Sequence, residues 1–397
     1  MTDILLIDDD PLHLKMLART LNGLGYTDLV GCTSAAAALN ALAAPHRQIG
    51  LILLDLNMPG IDGVAFLGLL AERRADVPVI LVSGEDERLL ETAARFGATQ
   101  NLRVLGAVPK PVWPAELREA LSKWEAPVPS APAQKAYASE EVAAAILHRE
   151  LVPYYQPKVE IFSGNLAGVE VLVRWQHPRD GIVMPAQFIP VAEERGLVRD
   201  LTRLVLTDAL KQAQRWLGEG RHIPVAVNVS MDDLARTDFA DFVFAELERS
   251  GVPPQLLSLE VSEQRFASNP DAALATVSRL RLRRVVMSID DFGTGTSSLA
   301  QLRDLPFNEV KVDGSFVHGA GSNAILGTIL HTALELAHRL GLRTVAEGVE
   351  GPADLAWLRR QSCDIAQGYF IGKPMPADQL PDWLASWEIR RGELLSS

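Results

Sequence analysis

Short apolar runs recur along this 397-residue chain, each ending in a polar or acidic residue and each followed by a stretch of helical periodicity. Residues 4–7 form the first such run and end in Asp8-Asp9-Asp10. Pro11 then predicts a helix start, where its missing N–H costs nothing. Leu14, Leu17, Leu21 and Leu24 mark that helix's inner face. Residues 29–32 predict a second strand, followed by an alanine-rich helix from about Ser34. A third strand at 50–54 ends at Asp55 and leads through Leu56-Asn57-Met58-Pro59-Gly60 into a helix from Asp62. The fourth, residues 77–82, ends at Ser83. A less regular stretch reaches Ala107-Val108-Pro109-Lys110-Pro111, and a last helix carries Leu117 and Leu121. Strands apolar on both faces and alternating with helices predict an α/β, doubly wound parallel sheet.

The pattern then breaks. Residues 126–138 are dominated by proline and alanine and have no apolar period, as expected of a semi-rigid linker. Ser139 restarts a helix, with Glu140 and Glu141 in its favourable first turn. Eight further runs follow, at 152–159, 166–173, 223–229, 257–261, 285–289, 309–313, 342–349 and 364–370. Their number and spacing suit a barrel.

Composition narrows the class of partner. Hydrophobic residues make up 48% and charged residues 22%, which predicts ample core. A net charge of -12 disfavours nucleic acid, and carboxylate-rich sites suit divalent metals. Two distant cysteines, Cys32 and Cys363, predict a reducing compartment and no thiolate metal site. The first residues lack a basic leader, and no apolar run reaches membrane-span length, so a cytoplasmic location with no membrane partner is expected.

The strand ends hold the chemistry. Ligands of open parallel sheets bind at the carboxyl ends of the strands, and there the first half places Asp8, Asp9, Asp55, Ser83 and Lys110. Three carboxylates repel one another unless a cation lies among them, and oxygen ligands suit Mg²⁺. In the second half the strand ends carry Gln156, Glu170, Asn228, Glu260, Lys311, Glu347 and Gln367. After 285–289 come Asp290-Asp291-Phe292-Gly293-Thr294-Gly295, two adjacent acids and a glycine-rich loop. Alone, that stretch reads equally well as a solvated turn. Together, Glu170, Glu260, Asp290, Asp291 and Glu347 are five acids with one lysine, Lys311, nearby. Burying an unpaired carboxylate costs many kcal/mol, so the set needs cations. Acids and an amide, without a histidine or cysteine cluster, argue for Mg²⁺ or Mn²⁺, and their number suits two ions sharing a carboxylate.

The first half resembles a response-regulator receiver domain, flavodoxin-like in fold, over residues 1–125. The resemblance implies that Asp55 accepts a phosphoryl group from a sensor histidine kinase or phosphotransfer protein. It implies one Mg²⁺ or Mn²⁺ on Asp8, Asp9, Asp55 and the backbone of Asn57, with Ser83 and Lys110 gripping the phosphate. Ala107 stands where the family has an aromatic signalling residue. The second half resembles an EAL-domain phosphodiesterase, a modified TIM barrel, over residues 139–393. The motifs are Glu170-Val171-Leu172-Val173-Arg174, Asn228-Val229-Ser230, Glu260-Val261-Ser262-Glu263, the Asp290 loop, Lys311-Val312-Asp313, Glu347-Gly348-Val349-Glu350 and Gln367-Gly368-Tyr369. Val171 replaces an alanine of the family motif, and Thr296 a tyrosine.

This second resemblance implies metal-dependent hydrolysis of cyclic di-GMP to linear pGpG by a homodimer or higher oligomer, under control of the receiver. Two metals would rest on Glu170, Asn228, Glu260, Asp290, Asp291 and Glu347. Glu347 would complete a metal shell or orient the attacking water, and Lys311 would hold that water or stabilise the phosphate. Gln156, Leu172, Arg174, Glu350 and Gln367 would contact substrate, and Glu263 would brace the glycine-rich loop. Two alternatives share the fold: an inactive EAL domain that only binds cyclic di-GMP, and a signalling scaffold. A kinase, suggested by Asp291-Phe292-Gly293, lacks the catalytic-loop and nucleotide-loop signatures.

Overall fold

A computed structural model describes residues 3–44, 47–73, 75, 77–85, 87–100, 102–125, 137–262, 269–294 and 302–396. Residues 126–136 of the expected linker, Glu263 and Thr296 lie outside the described residues, whereas Tyr137, at the linker's expected end, is buried in the second unit. The chain divides into two compact units, Met1–Ala133 and Gln134–Ser397.

In the first unit five strands, β1 (Asp3–Ile7), β2 (Leu29–Cys32), β3 (Ile49–Asp55), β4 (Val79–Ser83) and β5 (Val104–Pro109), form a parallel sheet in the order β2-β1-β3-β4-β5. Side chains alternate across a strand. Leu5, Ile7, Ile52, Leu54 and Leu81 accordingly fill one core layer, and Ile4, Leu6, Leu51, Leu53, Ile80 and Val82 the other. The expected fourth strand starts two residues later than its apolar run, because Val77 and Pro78 lead into it as irregular chain. Helix Pro11–Gly23 is capped by Asp10, whose carboxylate accepts from Leu12 N at 2.8 Å.

The second unit has nine strands: β6 (Leu151–Glu160), β7 (Leu166–His177), β8 (Gly181–Val183), β9 (Val225–Val229), β10 (Leu257–Ser262), β11 (Val286–Phe292), β12 (Glu309–Val312), β13 (Arg343–Ala346) and β14 (Ile365–Gln367). Their order is β6-β14-β13-β12-β11-β10-β9-β7-β8, and β6 also pairs with β7. Eight strands therefore close a barrel, and β8 hangs outside as a hairpin on β7. The eight-stranded expectation holds, with one correction. Strand β6 runs antiparallel to both neighbours, Leu151 opposite Trp175 and Lys158 opposite Gly168. Its residues thus reach the mouth by their register and not from a carboxyl end. Among the described residues, no helix is long and apolar enough to cross a membrane.

Candidate functional site

In the first unit the strand-end residues converge as their positions predict. Lys110 Nζ lies 2.7 Å from Asp8 Oδ2 and 2.8 Å from Asp55 Oδ2. One carboxylate oxygen from each of Asp8, Asp9 and Asp55 falls within a single 4.8 Å cluster. Burial pushes the Asp55 pKa up, with Lys110 only partly offsetting it. Asn57 N donates to Asp55 Oδ1 at 3.4 Å, and the fully buried Ser83 receives Glu85 N on Oγ at 3.3 Å. Ala107 is exposed on β5 and brings no ring to this face.

The second unit gathers its acids around one ammonium group. Lys311 is fully buried, and its Nζ lies 2.7 Å from Glu347 Oε1, 2.8 Å from Glu260 Oε2, 3.0 Å from Asp290 Oδ1 and 3.3 Å from Glu170 Oε2. Asn228 Nδ2 donates to Glu170 Oε1 at 2.8 Å, which fixes that carboxylate against the neighbouring strand. Gln367 Nε2 donates to Glu170 Oε2 at 2.6 Å and to Gln156 Oε1 at 3.2 Å. Gln367 Oε1 is buried with no hydrogen-bond partner among the described residues.

The adjacent acids at 290 and 291 reach one site through a break in the strand. Asp291 takes φ +56°, a left-handed conformation uncommon outside glycine, asparagine and aspartate. The pairing of β11 with β12 shifts register between Ile289 and Phe292. Two neighbours that would point to opposite faces of a regular strand therefore join one cluster, comprising Asp290, Asp291 and Glu347. Glu170, Glu260 and Asp290 form a second cluster, so the two share Asp290.

Electrostatics follow from crowding. Burial, then the neighbouring acids, drive the Asp290 pKa well above the usual range, although Lys311 opposes them. The Glu347 pKa rises to about 7 for the same reasons. Glu260 goes the other way: burial pushes it up, but two lysines overcome burial and hold it at about 2. The second of these is Lys158, which the sequence reading did not single out. Its Nζ lies 2.9 Å from Glu260 Oε1. The expectation of one lysine beside five acids is thus corrected to two. The signal was available: Lys158 lies two residues after Gln156, on the same inward face of β6.

The remaining expected residues border the acids. Leu172 and Asn228 line a cavity of about 480 Å³ with Ser230 and Ser262, and Ser262 Oγ donates to Asp291 Oδ2 at 3.4 Å. Arg174 donates to Val173 O at 2.9 Å and lies over the Tyr154 ring, and burial lowers its pKa. Glu350 is exposed, with its carboxylate 3.7 Å from His318. Phe292 is a buried barrel-strand residue, which leaves the kinase reading of Asp291-Phe292-Gly293 without structural support.

The EAL domain family model matches residues 139–374, more than half of the chain and the whole acid cluster. The chain belongs to the EAL-domain family. A response regulator receiver domain model matches residues 4–122. The EAL segment is 40% identical over 242 residues to the bifunctional diguanylate cyclase/cyclic di-GMP phosphodiesterase MucR of Pseudomonas aeruginosa, covering 60% of this chain but 35% of that protein. The cyclic di-GMP phosphodiesterase RocR of the same organism is 29% identical over 385 residues, 96% of this chain and 98% of RocR. The chain thus spans about a third of MucR and nearly all of RocR. Among solved structures, the c-di-GMP complex of the PaMucR phosphodiesterase matches with TM-score 0.57 and 39% identity, covering 61% of this chain and 98% of that one. An EAL domain protein from Listeria monocytogenes EGD-e matches with TM-score 0.57 and 28% identity, covering 62% and 98%.

Proposed function

We propose that this EAL-family chain hydrolyses cyclic di-GMP to linear pGpG with Mg²⁺ or Mn²⁺, under control of its receiver. One observation carries the reading: two acid clusters that share Asp290 converge on the buried Lys311 at the barrel mouth. The donor set fits hard divalent cations. It offers carboxylates and one amide, and burial first, then the crowding of the acids, hold Asp290 and Glu347 above the ordinary carboxylate range in spite of Lys311. Glu170, Asn228, Glu260, Asp290, Asp291 and Glu347 are the residues to hold two such ions. Ions held there would lower the pKa of a coordinated water below that of bulk water and would offset charge on the phosphate.

The chain's own groups do the rest. Lys311 places a fixed positive charge where phosphate charge develops. Glu347 orients the attacking water. Gln367, itself held by Gln156, fixes the Glu170 carboxylate together with Asn228, and Arg174 at the rim suits a phosphate or a guanine edge. In the receiver, Asp55 is the phosphoacceptor and Asp8, Asp9 and the Asn57 backbone its cation ligands. A histidine kinase or phosphotransfer protein is the donor. The complete acid set speaks against a receptor-only domain.

The test is turnover of cyclic di-GMP by the full chain with Mg²⁺ or Mn²⁺, with pGpG as the product resolved by chromatography. Glu170→Ala and Glu347→Ala are expected to lose about 10²–10⁴-fold in kcat while keeping their circular dichroism. Wild-type rates in both folded variants would overturn the assignment.

A further inference from the structure

We propose that Lys158 is a positioning residue that leaves Glu260 a single oxygen for metal binding, and that this selects Mg²⁺ or Mn²⁺ over Ca²⁺ at the barrel mouth. The inference rests on the two-ion reading above. Glu260 is fully buried, and its two oxygens are held by different lysines from opposite sides. Lys311 faces Oε2 at 2.8 Å from the mouth, and Lys158 faces Oε1 at 2.9 Å from beneath. The two contacts are not equivalent. Lys311 is shared with Glu170, Asp290 and Glu347, so incoming cations can take over its role at Oε2. Lys158 has no other ion pair among the described residues. Glu309, the next acid below, has Oε2 held by Arg343, with Nη2 at 2.9 Å, and its buried Oε1 makes no hydrogen bond among the described residues, Lys158 included. Lys158, paired to Oε1 alone among the described residues, is the lysine that stays in place when cations enter.

Backbone register sets this arrangement. Lys158 sits opposite Gly168 on β7 and opposite Gln367 on β14, one layer below the Gln156–Glu170 pair. Gly168 has φ +156°, and a Cβ there would lie 2.9 Å from Pro224 O, so the lower layer closes around a glycine. The lysine stem crosses from this layer and brings its ammonium to Glu260 from the barrel floor. A cavity of about 170 Å³ lies beneath, lined in part by Lys158, Ser258 and Glu309.

A carboxylate with one oxygen held by an ammonium group ligates a cation through the other oxygen only. Mg²⁺ accepts that, since it demands octahedral geometry at about 2.0–2.1 Å. Ca²⁺ takes six to eight oxygens and gains from two-oxygen carboxylates. The Lys158 charge acts on any divalent ion alike, so it shifts both affinities together. The ratio of Ca²⁺ to Mn²⁺ affinity responds to the number of oxygens offered.

The test titrates Mn²⁺ and Ca²⁺ separately by calorimetry into the full chain, as wild type and as Lys158→Met. The expected result is that Kd(Ca²⁺)/Kd(Mn²⁺) falls about tenfold in the variant, whatever happens to either affinity alone. An unchanged ratio in a folded variant overturns the inference and leaves the two-ion reading standing. Absence of binding by either ion to wild type overturns both. Should the variant not fold, the Mn²⁺-loaded wild-type crystal structure decides. Glu260 bound through Oε2 alone, with Lys158 still on Oε1, supports the inference; two-oxygen binding ends it.

Discussion

At the scale of single residues, Glu347 is where pH should be felt. Its pKa is raised to about 7 because it is buried among other acids, with Lys311 as partial relief. The folded, metal-free protein therefore holds this proton more tightly than the unfolded chain does. The associated stability is fully present below about pH 4.5 and is lost as pH rises through about 7. The size is at most about 3 kcal/mol, at 1.36 kcal/mol for each pKa unit. In EDTA, the wild-type Tm should fall between pH 5 and 8 more steeply than that of Glu347→Gln. The Tm gain from Mn²⁺ should grow over the same range. Parallel Tm profiles in EDTA would refute the raised pKa. Glu260, held near 2, contributes oppositely and only at more acid pH. The acids themselves were legible in the sequence, because each follows an apolar run. Lys158 was hidden because a lysine between Pro157 and Val159 looks like a surface charge until its strand is known to be buried on its inward face.

At the scale of elements, close backbone contact fixes the loops that carry the site. Gly348, just after Glu347, has φ +63°, and a Cβ on it would lie 2.8 Å from Gly314 Cα. Gly314 follows Asp313 at the end of β12, so two glycines let adjacent strand exits touch. Gly348→Ala combines an unfavourable φ with that clash and should cost about 1–3 kcal/mol. Chemical denaturation should show the loss, and kcat should fall with it, since Glu347 is the neighbouring residue. An unaltered midpoint would show that the contact relaxes freely. Strand existence was readable from apolar runs, but strand direction was not. The run of β6 is as apolar as its neighbours, and antiparallel pairing is decided by which strands close the barrel. The left-handed Asp291 was equally invisible, although adjacent acids at a strand end hinted that the strand must break there.

At the scale of the whole molecule, a receiver and an EAL barrel share one chain, as the two family models report. Phosphorylation at the proposed acceptor Asp55 would add charge and acceptor oxygens there, which Ser83 and Lys110 could follow. It would change turnover only by favouring one of two arrangements already available to the protein. Beryllofluoride should therefore shift kcat or KM of the wild type and leave Asp55→Asn unmoved. Binding of beryllofluoride with both constants unaltered would assign the receiver to partner choice instead. Ala107 predicts that this response does not run through an aromatic rotamer at that position, so Ala107→Tyr should not be needed for it.

The reversed first strand of the barrel also settles where the chain comes in. An all-parallel barrel would begin its first strand at the floor, away from its chemistry. Here β6 begins with Leu151 beside Trp175, at the rim that bears Arg174. Just upstream, Tyr137 is buried with its ring 4.7 Å from that of Trp175. The second unit's chain consequently enters beside the rim that bears Arg174, so a substitution at Tyr137 would be felt there before it was felt at the floor.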